Sequence, residues 1–225
     1  KTDDLNEVPL YAGSNYFLFY AQGPNAWYYS GNASLPYNFK SNPYSFYGYY
    51  FLTDNVGTKK RIEEKAAETF DIPTVEIRNY LDRRYMKKEE FNYISSGKTW
   101  FGNRINNDGS SSHSFSFGSV DTTKEASIYV KCAASSNRLS HISISAKAGY
   151  NTTSTAMEIP FSAGHVIATE KESYLKLQPT GGNFSVTISY SGNNTTDYAS
   201  IERIVVNAYK PLDMKGNNCM YFRNP

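Results

Sequence analysis

Apolar and polar positions alternate along most of the second half of the chain. Phe184, Val186, Ile188 and Tyr190 interleave with Ser185, Thr187 and Ser189. Within Leu139–Ala146, Ile142 and Ile144 point one way and Ser143 and Ser145 the other. His113–Phe117 and Ser127–Ala134 show the same period of two, and Ile201–Asn207 is a nearly continuous apolar run. Alternation of this kind predicts half-buried strands, because successive side chains of a strand face opposite sides. Gly149, Gly164, Gly181-Gly182 and Gly192-Asn193 punctuate the strands with turns. Asn106-Asn107-Asp108-Gly109 reads as a hairpin tip, since Asp-Gly accepts the positive φ of a type I′ turn. Short strands at this spacing predict an antiparallel β-sandwich or jelly roll over residues 96–225, with Ile142, Ile144, Val186 and Ile188 facing a common interior.

The first 95 residues read as a separate β-rich, α+β segment, with the boundary near Ser95–Gly97. Tyr16–Tyr20 predicts a short buried strand closed by Gly23-Pro24, Trp27–Tyr29 a second, and Tyr47–Thr53 a third. Residues 30–45 carry Gly31, Pro36 and Pro43 amid Asn and Ser and read as loop. Ile62, Ala66, Ala67 and Phe70 share one face at helical spacing, which predicts a helix over Glu63–Phe70. Ile77–Tyr85 reads as a long strand. The charge runs Lys59-Lys60-Arg61, Arg83-Arg84 and Lys87-Lys88-Glu89-Glu90 read as a solvated face. No period of 20–50 residues recurs, so the chain is not a repeat array.

Composition sharpens this picture in a few places. Aromatic residues reach 16%, with 20 Tyr and 13 Phe, which suits a pleated surface and excludes a disordered chain. A formal charge of +2 without a Lys/Arg stripe gives no nucleic-acid footprint. No apolar run is long enough to span a membrane as a helix.

Candidate chemistry is sparse. Two cysteines cannot make a disulfide framework. Cys132 lies on the apolar phase of its strand and reads as a buried hydrophobe; a bridge to Cys219 or a reactive thiol are the alternatives. His113, His141 and His165 are scattered, and His141 lies on a polar phase, so no Cys–His catalytic pair is expected. No ligand cluster for a metal, no phosphate loop and no cofactor motif is present; calcium at a sandwich loop stays open. The tyrosines between Trp27 and Tyr50 suit core packing and cross-strand pairs, with a carbohydrate platform as the alternative.

One set of motifs carries a family resemblance. Tyr16-Phe-Leu-Phe-Tyr-Ala-Gln-Gly-Pro24, then Trp27-Tyr28, then Tyr49–Thr53 resembles a run that precedes the catalytic domain of PorU-like proteins. Those are gingipain-type cysteine peptidases, the signal peptidases or sortases of type IX secretion. Ser96-Gly97-Lys98-Thr99-Trp100-Phe101-Gly102 is similar to the family signature Ser-Gly-Arg-x-Trp-Phe-Gly, although Asn103 stands where the family usually has Glu. Ile201–Asn207, Leu212, Gly216 and Phe222-Arg223 resemble the strand pair that closes the family's sandwich ahead of catalysis. The resemblance implies a non-catalytic N-terminal module that docks, positions or helps to fold the parent peptidase. The caspase-like domain with its catalytic His and Cys would follow Pro225, so no catalytic residue carries over to this chain. It further implies an extracytoplasmic site, in the periplasm or at the outer-membrane surface of a Bacteroidetes-type bacterium. Partners would be protein: the peptidase domain, an outer-membrane secretion subunit or exported cargo. A free-standing carbohydrate-binding or adhesin module is the alternative. Within the signature, Gly97, Trp100, Phe101 and Gly102 are the structural motif, and Trp100 is expected to be a buried anchor between the two segments, with an exposed ring in a linker and a sugar or partner contact as the alternatives.

Overall fold

The computed structural model describes residues 6–53, 60–66, 76–162, 164 and 166–214. Thirteen strands and no helix lie among them. The chain divides into two compact units: Lys1–Trp27 with Phe39–Glu76, and Tyr28–Asn38 with Ile77–Pro225.

The second unit is an antiparallel β-sandwich, as the alternation predicted. One sheet has four strands in the order β10 (Asn151–Ile159), β9 (Ser140–Ala148), β12 (Asn183–Ser191) and β7 (Ser110–Ser116). The other has β11 (Thr169–Leu177), β8 (Ala126–Ser135), β13 (Tyr198–Pro211) and β5 (Asn79–Met86), with β6 (Gly102–Asn106) also paired to β13. The interior is filled by Ile142, Ile144, Val186 and Ile188 from one sheet and by Ile128, Val130, Ile204 and Val206 from the other. All eight are fully buried, because strict alternation places every second side chain between the sheets. His141 and Ser143 are exposed on the opposite side.

The five-stranded sheet is buried on both faces. Tyr129 pairs with Val205, and Ser127 with Asn207, on the phase that turns away from the interior. These four residues are buried nevertheless. Part of their cover comes from residues 28–38. Asn207 Nδ2 donates to the Tyr37 carbonyl at 3.4 Å, and the Arg83 guanidinium stacks 4.8 Å from the Tyr37 ring centroid. Double burial explains why Ile204, Val205 and Val206 are consecutive apolar residues rather than alternating. The expected boundary at Ser95–Gly97 falls between β5 and β6, and both of these strands pair with β13.

Several expectations are corrected. Residues 30–45 are not all loop: β3 (Asn25–Asn32) and β4 (Leu35–Ser41) form a two-stranded sheet. Pro36 is tolerated because a two-stranded ribbon leaves half its amide groups outside the ladder. Tyr47–Thr53 forms no strand, and its residues are exposed. Within Tyr16–Tyr20 the strand is β2 (Phe17–Phe19), paired with β1 (Leu10–Ala12), and it is exposed rather than buried. Glu63–Ala66 is not helical; the rest of the expected helix lies outside the described residues. The backbone there is committed to β1 instead: Leu10 N–H donates to the Lys60 carbonyl, Ile62 N–H donates to the Leu10 carbonyl, and the Tyr11 hydroxyl donates to Glu64 at 2.7 Å. Asn106–Gly109 is a turn that crosses from β6 in one sheet to β7 in the other, not a hairpin tip. Asp108 carries its positive φ of 55°.

The strand phase yields a direct stability test. Ile144→Ala should cost about 2–4 kcal/mol through lost burial and a residual cavity. Ser145→Ala, half-buried on the other phase, should change stability by less than about 0.5 kcal/mol. Urea unfolding of both variants checks this; equal midpoints would contradict the phase.

Candidate functional site

The signature segment sits on a tight excursion between Phe91 and Phe101. These two residues form an antiparallel bridge: Phe91 N–H donates to the Phe101 carbonyl at 3.0 Å, and Phe101 N–H donates back to the Phe91 carbonyl at 2.8 Å. Asn92 staples the loop closed. Its Nδ2 donates to the Thr99 carbonyl at 2.7 Å, and its Oδ1 accepts from Ile94 N–H at 2.9 Å. Left-handed backbone at Ser95 (φ 56°) and Gly97 (φ 93°) turns the chain back, and glycine accepts that conformation without strain. Gly102 is required for a different reason. A Cβ there would lie 2.4 Å from Lys88 Cβ and 3.2 Å from the Lys88 carbonyl oxygen.

The motif residues separate by burial. Gly97 and Lys98 are exposed, Trp100 is half-buried, and Phe101 and Gly102 are buried. The buried aromatic of the motif is therefore Phe101. It joins a cluster with Phe91, Tyr93 and Tyr198: Tyr93 packs edge-on to Phe101 at 5.0 Å and stacks on Tyr198 at 5.5 Å with the planes 5° apart. The Arg104 guanidinium caps the cluster 3.7 Å from the Tyr198 ring centroid. Tyr93 hydroxyl donates to Ser200 Oγ at 3.0 Å, with the Ala133 carbonyl 3.3 Å away. Burial pushes the Tyr93 hydroxyl far above its ordinary range, and the Ser200 contact offsets only part of this.

Beside the cluster lies a charged pair that sequence pattern did not isolate. Lys87 Nζ is 2.7 Å from Glu202 Oε1, and both side chains are almost fully buried. Lys87 also reaches Glu89 at 3.3 Å, and Arg203 Nε lies 3.2 Å from Glu202 Oε2. Lys87 thus departs from the solvated face expected for its charge run. Glu202 was the available signal: a carboxylate in the middle of a largely buried strand needs a partner.

Cys132 is a free, buried thiol on the inner face of β8. Burial, with the Glu202 charge adding to it, pushes its pKa up to about 12. A thiol in that state is protonated at neutral pH and is no nucleophile. Cys219 and His165 lie outside the described residues, and with them the Cys132–Cys219 alternative. His113 Nε2 is 3.0 Å from Ser111 Oγ; burial, with Lys88 nearby, holds its ring below the usual range. His141 is exposed on the outer face of the four-stranded sheet.

Two loops with acidic oxygens hold themselves together. Asp108 Oδ1 accepts from Ser191 and Asp108 Oδ2 from Asn107. Asp197 Oδ2 accepts from the Asn193 and Asn194 amides and from the Ser136 hydroxyl at 2.8–3.1 Å. Burial raises the Asp197 pKa, but these donors outweigh it and hold the carboxyl below its usual range. Among the described residues, no three His, Cys, Asp or Glu side chains gather as a metal would need. No helix there is long and apolar enough to cross a membrane.

Fold and site together define an antiparallel β-sandwich unit with an aromatic-packed loop between β5 and β6. Among solved structures, the chain is similar to dimeric latent PorU from Porphyromonas gingivalis, with a TM-score of 0.79 and 22% identity over 99% of this chain. At that identity the likeness establishes a PorU-like fold, and the chain spans about a fifth (21%) of that protein's length. The carbohydrate-binding module CBM36 in complex with calcium and xylotriose overlaps 55% of this chain and 97% of its own, at 15% identity and a TM-score of 0.32. A family 35 carbohydrate-binding module from an environmental isolate overlaps 57% of this chain and 88% of its own, at 14% identity and a TM-score of 0.35. Overlap that loose carries no argument about ligands. No family model and no curated protein matches the sequence.

Two outcomes follow from this geometry. Gly102→Ala should destabilise by about 1–3 kcal/mol, since the new methyl must displace Lys88; an unchanged urea midpoint would contradict the close approach. Stability should also fall at alkaline pH. Cys132 and Tyr93 hold their protons more tightly folded than unfolded, so their contribution is complete below about pH 9 and declines as pH rises towards 12. Urea midpoints measured from pH 8 to 11 check the sign; a rising midpoint would contradict it.

Proposed function

We propose that this chain is the non-catalytic N-terminal accessory module of a PorU-like surface cysteine peptidase of type IX protein secretion. The observation that carries the reading is the match of 99% of the chain to a fifth-length portion of PorU at a TM-score of 0.79. The ordered motifs from Tyr16 to Arg223 support it independently of geometry. The module docks, positions or assists folding of the peptidase, and its partners are protein. It works outside the cytoplasm, in the periplasm or at the outer-membrane surface. In this reading the chemistry belongs to the remainder of the parent, and burial of the Cys132 thiol is in keeping with it. Gly97, Trp100, Phe101 and Gly102 serve as a structural motif: two glycines permit the excursion, Phe101 locks it to the sandwich, and half-buried Trp100 supplies a contact surface.

Two measurements test this. The reading frame beyond Pro225 should continue into a caspase-like domain with a catalytic His and Cys; a stop codon or membrane anchor there would overturn the reading. The purified chain should show no peptide turnover, and Cys132→Ala should change nothing. Turnover that disappears in Cys132→Ala would assign catalysis to this chain instead.

A further inference from the structure

The first unit carries a surface that the proposed function does not yet use. Lys40 is the single charged residue from Val8 to Thr53. Large apolar side chains in that stretch stand in solvent: Phe17, Leu18 and Phe19 are 59%, 57% and 46% exposed, and Tyr47, Phe51 and Leu52 are 71%, 78% and 79% exposed. Successive residues of a strand face opposite sides, so exposure of all three residues of β2 leaves both its faces open. The two groups are joined. The Phe19 and Tyr50 rings lie 5.4 Å apart, and the Tyr50 hydroxyl donates to the Gln22 carbonyl at 2.9 Å. Aromatic side chains of this size expose, together, on the order of several hundred Å². Contiguous apolar surface of that extent marks a binding face rather than ordinary protein surface.

Its chemistry narrows the occupant. Charge depletion with Tyr and Phe enrichment is the composition of a protein–protein interface core. A face with one lysine offers nothing to nucleic-acid phosphates or to anionic lipid headgroups. We propose that the aromatic face built by β2 and residues 44–52 docks against the remainder of the parent polypeptide, the part that follows Pro225. This rests on the accessory-module reading. The chain matches 21% of PorU, so about four fifths of a protein of that length would lie outside the matched part and be tethered to it. Tethering raises effective concentration, so an apolar face of modest affinity stays occupied without a separate partner.

Photo-crosslinking in the full-length parent tests the assignment. A benzophenone amino acid replaces Phe19 in one variant, Phe51 in a second, and Tyr150, 94% exposed in the sandwich unit, in a control. Mass spectrometry then maps the crosslinked peptides. Crosslinks from positions 19 and 51, but not 150, to residues beyond Pro225 of the same polypeptide are expected. As a companion, Phe17→Ser with Phe19→Ser should weaken binding in trans between this chain and the separately produced remainder by at least tenfold, with an unchanged unfolding midpoint. Crosslinks that join two copies would give the face to self-association and overturn the proposal. Equal crosslinking from all three positions, or none beyond Pro225, would overturn it while leaving the accessory-module reading intact. A reading frame that ends at Pro225 would overturn both.

Discussion

Strand β13 is the constraint on which the sandwich depends. Its fourteen residues pair with β8 along one side and with both β6 and β5 along the other. The ladder slips between Ile201 and Arg203, leaving Glu202 at a bulge. A bulge re-aims a side chain and bends the strand. Here it turns a carboxylate towards Lys87, just after β5 ends and where β6 takes over the pairing. A buried pair of this kind is poor evidence of added stability, since desolvation offsets the attraction, but removal of one partner leaves an uncompensated charge.

The signature loop depends on the same strand. Phe101 and Tyr93 pack against Tyr198 at the start of β13, and Tyr93 bonds Ser200 two residues on. The loop is held at its base by these contacts while Gly97 and Lys98 stay in solvent. The segment is fixed at its base and open at its tip. The described thiol, Cys132, is buried inside the sandwich.

The sandwich was legible wherever one sheet face is buried and the other is wet. Ile142, Ile144, Val186 and Ile188 announce themselves because serine and threonine fill the positions between them. Strands β10 and β11 escaped notice because they are edge strands: β10 is rich in Thr and Ser, and β11 alternates Lys and Glu, so burial imprints little pattern on them. The N-terminal unit misled in the opposite direction. Aromatic runs at Tyr16–Tyr20 and Tyr47–Thr53 have the composition of buried strands, yet the structure leaves them exposed. Composition reports that such residues will be covered, but not whether the cover lies within the same segment. At the site, Gly97 and Gly102 were visible as backbone constraints. The Tyr93–Phe101–Tyr198 cluster was not, because its members are distant in sequence and only the fold brings them together.

Native-state hydrogen exchange tests the central claim, that β13 binds strands from both sides of the signature loop into one cooperative sandwich. Amides of β5, β8 and β13, such as those of Tyr85, Val130 and Ile204, should exchange only through global unfolding and share one free energy of opening. Exchange of the β5 amides through a separate, lower-energy opening, with β8 and β13 still protected, would contradict the account.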